Sequence, residues 1–426
     1  MEILNKLLWA IASALIIVSG IYFTIKLKFV QFDFKKIFFY TFKNNEKTKG
    51  LNPLSTLMLT LAGKIGVGSI AGVALAIYIG GAGTIFWMWV IALLSASNTF
   101  AETFLGILYK EKDQDDIYKG GPSYYIKKGL KKKNLAIICS LIIILSYLFG
   151  FIPIQANTIT KSVNEIFYIN PIIIGIILSL ISATIIFGGI KKISKASNKI
   201  VPVMTILYLI VSVIIIIKNI DKIPFILLEI VKSAFNLKPF FTGFMATLII
   251  GIQRGIFANE SGLGTGSIAS STTSNDNPIV ASYVQMLGIY IATLLICTST
   301  FFIIMTSNYK AINFSDVNGI EITQYAFNYH LGIFGNILIF ISILLFAFST
   351  ILTGYYYIES NIKFFKGNIN KKQLVFIKLI TLIFLFIGCI ISSEKLWNIV
   401  DILIAMLAII NIYSLLRLRG KVKKKL

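Results

Sequence analysis

The sequence predicts an all-α integral membrane protein of eleven transmembrane helices, one extra N-terminal helix followed by a 5+5 inverted repeat. Three observations carry that expectation. The 426 residues are 56% apolar and 14% charged, with a mean hydropathy of +0.83, too greasy for a soluble domain of ordinary composition. Apolar stretches of about 20 residues, long enough to cross the hydrocarbon of a bilayer, recur along the chain. Two of them are interrupted by glycine-rich sequence, and unwound backbone at membrane depth survives only where protein buries it or a polar cavity receives it.

The stretches follow in order. The first, 5–25, is long enough to span and has no small-residue cleavage site after its apolar run, so it reads as a retained helix. The second, 53–79, contains LAGKIGVGSIAGVA, far more glycine than a hydrophobic helix uses. Stretches at 84–109, 134–157, 169–188 and 198–218 are unbroken. The seventh, 240–264, runs into GIQRGIFANESGLGTGS, and 278–306, 334–362, 373–392 and 396–416 complete the set. With the first set aside, the breaks fall in the first and sixth of ten. An odd number of spans per half makes the halves run oppositely through the membrane. The expected division is an N-terminal helix and basic loop (1–50), a first repeat (51–220), a second repeat (221–416) and a basic tail (417–426). Outer stretch 219–239 reads as an interfacial helix, and outer stretch 309–331, with Asp316, Glu321 and His330, as a cap over the outer mouth.

Charge gives the orientation. The formal charge is +22, and 29 of the 40 basic residues fall in alternate connections when the N-terminus is placed outside. This is the positive-inside pattern, so the lysine excess reports topology and not nucleic-acid binding. The C-terminus is then cytoplasmic, and the expected location is the inner (plasma) membrane of a bacterium. Cys139, Cys297 and Cys389 are isolated in apolar sequence, which suggests neither a disulfide framework nor a metal site. A single histidine, His330, makes a zinc enzyme a poor reading. No nucleophile–base pair lies at membrane depth, so no catalytic residue is expected.

A cut helix leaves free N–H groups at one new end and free C=O groups at the other; the first suits a carboxylate and the second a cation. A zwitterionic amino acid with a metal cation satisfies both. In the first break Gly63, Gly66, Gly68 and Gly72 permit close approach, and Ser69 adds a hydroxyl. The competing reading is a glycine face for helix packing. Lys64, an ammonium in an apolar span, also divides two ways. It stands at a cation position or carries a proton, or it snorkels to the inner surface. In the second break Arg254 and Glu260 neutralise each other, pair with gate residues, or reach the first break. Asn259 and the backbone of 255–258 are the better substrate contacts there. Gln155 and Asn157 face substrate or bond a neighbouring helix. Ser349, Thr350 and Thr353 supply hydroxyl oxygens fit for sodium, although such hydroxyls also bond back to their own helix.

Seven ordered blocks then carry a resemblance: NPLSTLMLTLAGKIGVGSIAGVALAI, FWMWVIALLSASNTFAE, GGPSYYIKKGL, GGIKKISKASNKIVP, RGIFANESGLGTGSIA, FSTILTGYYYIE and WNIVDILIAMLAIIN. From about residue 50 to 415 the chain resembles the alanine/glycine:cation symporter family, amino-acid carriers of the leucine-transporter type. The resemblance implies import of a small neutral amino acid driven by sodium, by alternating access between core helices 1, 3, 6, 8 and 10. It places the substrate at Gly66, Val67, Gly68, Ser69, Gln155, Phe257, Ala258 and Asn259, with 257–259 on the unwound part of helix 6. The cation site falls at Lys64, Ile65, Ser349 and Thr350, with sodium at Ile65, Ser349 and Thr350. Arg254, Glu260 and Asp401 are the gating candidates. No cofactor is implied beyond the coupling ion.

The chain departs from the family at four points. Ser69 replaces asparagine, Val67 replaces threonine, Lys64 stands where relatives carry threonine or arginine, and Ala292 stands where they usually carry aspartate. Losing an intramembrane carboxylate removes oxygen ligands from a cation path, so sodium dependence is expected to weaken, or the Lys64 ammonium to replace the ion in part. The alternatives are a sodium-independent or proton-coupled carrier, and an amino-acid sensor that no longer transports.

Overall fold

The computed structural model describes residues 2–42, 51–113, 116–236, 243–311, 319–367 and 369–424. The expectations for Lys43, Lys47, Lys49, Lys238, Pro239, Asp316 and Lys425 lie outside the described residues.

Apart from a two-residue hairpin, the described chain is helical. In order come α1 (Glu2–Lys26), α2 (Phe34–Phe42), α3 (Pro53–Lys64), α4 (Ala71–Gly80) and α5 (Gly83–Leu108). The hairpin β1 (Glu111–Lys112) and β2 (Tyr118–Lys119) precedes α6 (Pro122–Gly129), α7 (Lys133–Leu145) and α8 (Ile152–Phe167). Then follow α9 (Pro171–Ile186), α10 (Gly189–Lys218), α11 (Ile223–Ala234), α12 (Phe244–Asn259), α13 (Thr265–Ser270) and α14 (Pro278–Ile289). The chain closes with α15 (Thr298–Thr306), α16 (Ile320–Leu331), α17 (Ile333–Lys366), α18 (Lys371–Ile390) and α19 (Ser393–Arg417). Wider π turns at Ser146–Phe151 and Tyr290–Cys297 join α7 to α8 and α14 to α15. Among the described residues, eight helical stretches are long and apolar enough to cross a membrane, and α4, α9 and α12 are shorter apolar helices.

The starts of several helices are written locally. Asn52-Pro53, Asn170-Pro171 and Asn277-Pro278 each place an asparagine before a proline. The asparagine oxygen accepts an otherwise unpaired N–H, from Ser55, from Ile172, and from both Ile279 and Val280. Proline at the first helical position gives up an N–H that had no partner. Apolar side chains then sort by surroundings: on α9 Ile172, Ile173, Ile176, Ile177, Leu180 and Ile181 stay exposed. A soluble fold does not turn such a face to water; lipid accepts it without cost.

Two expectations are corrected here. The stretch expected to end at residue 157 continues as helix to Phe167. Thr158 and Thr160 bond their hydroxyls back to the carbonyls of Ile154 and Ala156, so polar sequence continues the helix without unsatisfied groups. Around residue 257 the chain is still helical. Unwinding begins at Glu260, where φ is 52°, and passes through Gly262 and Gly264 at 78° and 79°. Glycine adopts that left-handed region freely, so the break falls at 260–264 and not at 257–259. A helix is present in the expected interfacial stretch, α11, with Phe225, Leu228 and Val231 exposed.

The extra helix is firmly attached. α1 packs along α19 and α5, and its Trp9 Nε1 donates to the Asp401 carbonyl at 3.0 Å.

Candidate functional site

The first break is compact. α3 stops at Lys64, Gly66 is extended at φ −125° and ψ −153°, a single 3-10 turn covers Val67–Ser69, and α4 starts at Ala71. All of it is buried. Gly66 has no room for a side chain, because a Cβ there would lie 2.6 Å from Thr350 Oγ1 and 2.9 Å from Gln155 Oε1. Gly68 has none either, with Phe257 Cδ1 at 2.6 Å and Ala258 Cα at 3.1 Å from the same imagined atom. Helices α3–α4, α8, α12 and α17 therefore converge on these two glycines. The glycine face expected for packing and the break expected for binding are one structure.

Gln155 Oε1 accepts the Val67 N–H at 2.9 Å, satisfying one free donor of the cut helix. Ser69 contributes its carbonyl to Thr300 Oγ1 at 2.8 Å, while its own buried hydroxyl has no partner. Ser349 and Thr350 both donate to the Ala62 carbonyl, at 3.2 and 2.9 Å, and Thr350 also lies 3.4 Å from the Gly63 carbonyl. Two hydroxyls and carbonyls from the end of α3 thus gather hard oxygen beside Ile65, which caps that helix. Oxygen sets of this kind suit a hard cation.

Other candidates separate from this centre. Asn157 is a helix-to-helix bond: its amide donates to Gly388 and Ile391 carbonyls and its oxygen accepts from Ser393. Asn259 is consumed locally, donating to Thr293 Oγ1 and accepting from the Ser261 N–H and hydroxyl. Those bonds tie it to the break. Lys64 neither snorkels nor joins the hydroxyls of Ser349 and Thr350. It is 1% exposed, and its ammonium has no hydrogen-bond partner. Of the three alternatives for Arg254 and Glu260, the mutual pair is not made. Arg254 grips Asp401 through both nitrogens and lies 4.5 Å over the Trp397 ring. Glu260 instead accepts from Tyr147 at 2.9 Å and Thr265 at 2.8 Å. Those bonds hold a non-glycine residue in the left-handed region, a conformation costing about 1–2 kcal/mol.

Both ends of the breaks are shut. On the Arg254 side Phe257 stacks on Phe151 with centroids 5.3 Å apart and meets Trp397 at 5.0 Å. On the Lys64 side, the entry to α3 is tied to the chain after α13: Ser274 N–H and Thr273 Oγ1 both donate to the Leu51 carbonyl. Lys110 clamps that segment through the Thr273 and Asn275 carbonyls and Asp276, the last at 2.8 Å.

Sequence reasoning missed Glu102. It sits fully buried in α5, accepting from the Gly264 N–H at 3.0 Å and Asn411 Nδ2 at 3.2 Å. Its signal was available: a carboxylate inside a 26-residue apolar helix is expensive and therefore functional by default.

The family model described as the sodium:alanine symporter family matches residues 1–426. The chain is 35% identical over 410 residues to the amino-acid carrier protein AlsT of Bacillus subtilis, covering 96% of this chain and 87% of that protein. It is 36% identical over 420 residues to the probable sodium/glutamine symporter GlnT of the same organism, at 97% and 86% coverage. With the sodium/alanine symporter AgcS of Methanococcus maripaludis it shares 33% over 429 residues, at 98% and 94%. Among solved structures it is similar to MhsT in complex with L-phenylalanine, with a TM-score of 0.65 at 15% identity, covering 87% and 89% of the two chains. At that identity the likeness speaks for a shared fold, the leucine-transporter type.

Proposed function

The chain belongs to the sodium:alanine symporter family, a family of carriers and not of enzymes, and from that premise we propose that it imports a small neutral amino acid of the alanine and glycine class together with sodium. The observation that carries the reading is the first break, where Gly66 and Gly68 lie against Gln155, Thr350 and the last turn of α12 at Phe257 and Ala258.

The chemistry follows from the helix ends. The substrate carboxylate lies on the N–H groups of Val67 and its neighbours in the turn that leads into α4, on the positive side of that helix dipole. Gln155, which now accepts from Val67, turns its amide to the incoming ligand. The substrate ammonium takes the last carbonyls of α12, at Phe257 to Asn259. Sodium, as co-substrate, takes the Ile65 and Ala62 carbonyls with the Ser349 and Thr350 hydroxyls. The aromatic wall of Phe151, Phe257 and Trp397 favours a short side chain. Alternating access opens the Arg254–Asp401 side toward the exterior and the Lys110 side toward the cytoplasm, in a plasma membrane with the N-terminus outside. Sodium dependence is weaker than in relatives, since Ser69 and Ala292 supply less oxygen and charge near the ion.

Uptake of labelled L-alanine and glycine into liposomes, with an inward sodium gradient and without sodium, tests the proposal. Accumulation stimulated by sodium is the expected result. Absence of both accumulation and counterflow for every small neutral amino acid tried counts decisively against it.

A further inference from the structure

A group of cations without an anion stands at the seam between α1 and α19, away from both breaks. The two helices run parallel: Trp9 bonds the Asp401 carbonyl part-way along, and Lys26, at the end of α1, donates to the Arg419 carbonyl just past the end of α19. Between these ends lies a cavity of about 370 Å³ lined by Tyr22, Lys26, Leu416, Arg417, Arg419 and Gly420. The Lys26 ammonium and the Arg419 guanidinium both approach the Tyr22 ring, 5.7 and 5.6 Å from its centroid. Among the described residues no carboxylate pairs with Lys26, Arg417 or Arg419. Asp33, the acidic residue that follows α1, is held by Lys36 at 2.9 Å and lies 3.9 Å from Lys424.

Helix ends account for part of this charge. Cations are favoured at a helix C-terminus, but each terminus carries only about half a negative charge. Two termini set about one negative charge against three positive ones, which leaves about two in excess at one mouth. Guanidinium forks match a pair of phosphate oxygens and grip them with two parallel bonds. The surroundings choose where that phosphate comes from. Leu7, Ile11, Val18, Ile21 and Ile25 stay exposed along one face of α1, an apolar stripe that ends beside Lys26. Acyl chains lie against such a stripe, which puts a headgroup at the cavity. A zwitterionic headgroup brings its own cation to the cluster and gains little. We infer that the cavity binds the phosphodiester of an anionic phospholipid, with its tails along the exposed face of α1.

The site is independent of the transported amino acid and stands whether or not alanine is carried. A headgroup held by Lys26 of α1 and by Arg417 and Arg419 at the end of α19 bridges the two helices, and so fastens the extra helix to the last helix of the second repeat. A ligand that binds the folded chain and not the unfolded one raises its apparent stability. Contacts of this ionic kind at a surface weaken as salt screens them.

The test titrates the full chain in neutral detergent with dioleoyl phosphatidylglycerol, using dioleoyl phosphatidylcholine as the zwitterionic control and Tm as the readout. Phosphatidylglycerol is expected to raise Tm at low salt and phosphatidylcholine to leave it nearly unmoved. Arg417→Gln with Arg419→Gln is expected to raise the lipid concentration for half the effect about 30-fold. Lys371→Gln with Lys372→Gln, which removes two charges at the start of α18, is expected to leave it unchanged. Native mass spectrometry reads the site without unfolding: phosphatidylglycerol is expected to stay on the native chain and to be lost from Lys26→Gln. Equal stabilisation by both lipids, equal loss in both double variants, or full retention by Lys26→Gln overturns the inference. Inorganic phosphate or glycerol phosphate that matches the lipid at equal concentration moves the occupant from the membrane to solution and overturns the lipid assignment.

Discussion

Arg254 and Asp401 lie 147 residues apart in sequence, yet Arg254 Nη1 and Nη2 meet Asp401 Oδ1 and Oδ2 at 3.1 and 2.9 Å. The two-pronged pair joins the broken α12 to α19, with the Trp397 ring stacked against the guanidinium. Such geometry demands a planar fork, which lysine lacks.

Asp401→Asn therefore leaves a buried guanidinium without its counter-charge. We expect a loss of about 3–5 kcal/mol of stability, the usual cost of removing one partner of a buried pair, visible as a lowered Tm in detergent. Arg254→Met with Asp401→Leu is expected to recover most of it. If the double variant is as unstable as the single one, packing and not charge governs the site.

Gly66→Ala places a methyl 2.6 Å from Thr350 Oγ1 and 2.9 Å from Gln155 Oε1. One side chain on each of two helices must then move. Sodium-dependent uptake is expected to fall at least about tenfold, equivalent to about 1.4 kcal/mol, with the folded protein still recovered from the membrane. Unchanged uptake would place the substrate elsewhere.

Thr350→Val removes one hydroxyl from the set gathered on Ala62 and Gly63. The sodium concentration for half-maximal uptake is expected to rise about 5- to 30-fold, corresponding to about 1–2 kcal/mol, while alanine counterflow at saturating sodium persists. Ser69→Asn is expected to act oppositely and strengthen sodium-dependent binding. No change in sodium or substrate affinity for either variant removes both residues from the ion path.

On the hairpin side, burial and then the nearby Lys363 charge push the Lys119 ammonium down to about 8 from its ordinary 10.5, against the attraction of Asp113. Between those values the unfolded chain holds more protons than the folded one, so stability rises with pH across that window. A Tm that climbs above about pH 8 in the native chain, and climbs less in Lys119→Met, is the expected result. A Tm equally steep in both excludes this lysine as the cause.

Much of the molecule was legible from residue order. Helix starts at Asn52, Asn170 and Asn277 are local capping signals, and the glycines of both breaks announced themselves because glycine is costly in an apolar helix. What escaped was whatever depended on partners distant in sequence. Lys64 alone could not reveal whether it faced the cytoplasm or Glu102, 38 positions away. Arg254 and Glu260, six residues apart, left mutual pairing, gate residues and the first break all open, and the left-handed turn at Glu260 sends their side chains in different directions. Asn157 was balanced between ligand and scaffold and Asn259 read as a substrate contact, and only distant partners, the carbonyls of Gly388 and Ile391 for the first and the hydroxyl of Thr293 for the second, show what each side chain bonds.

The indole of Trp9 has a mechanical implication. It holds the carbonyl of the same residue whose carboxylate pins Arg254, which ties the outlying first helix to the buried ion pair. Tilt responds to bilayer thickness. Bilayer thickness is accordingly expected to bear on the Arg254–Asp401 pair, as a Tm that shifts with the acyl-chain length of the surrounding lipid and shifts less in Trp9→Phe.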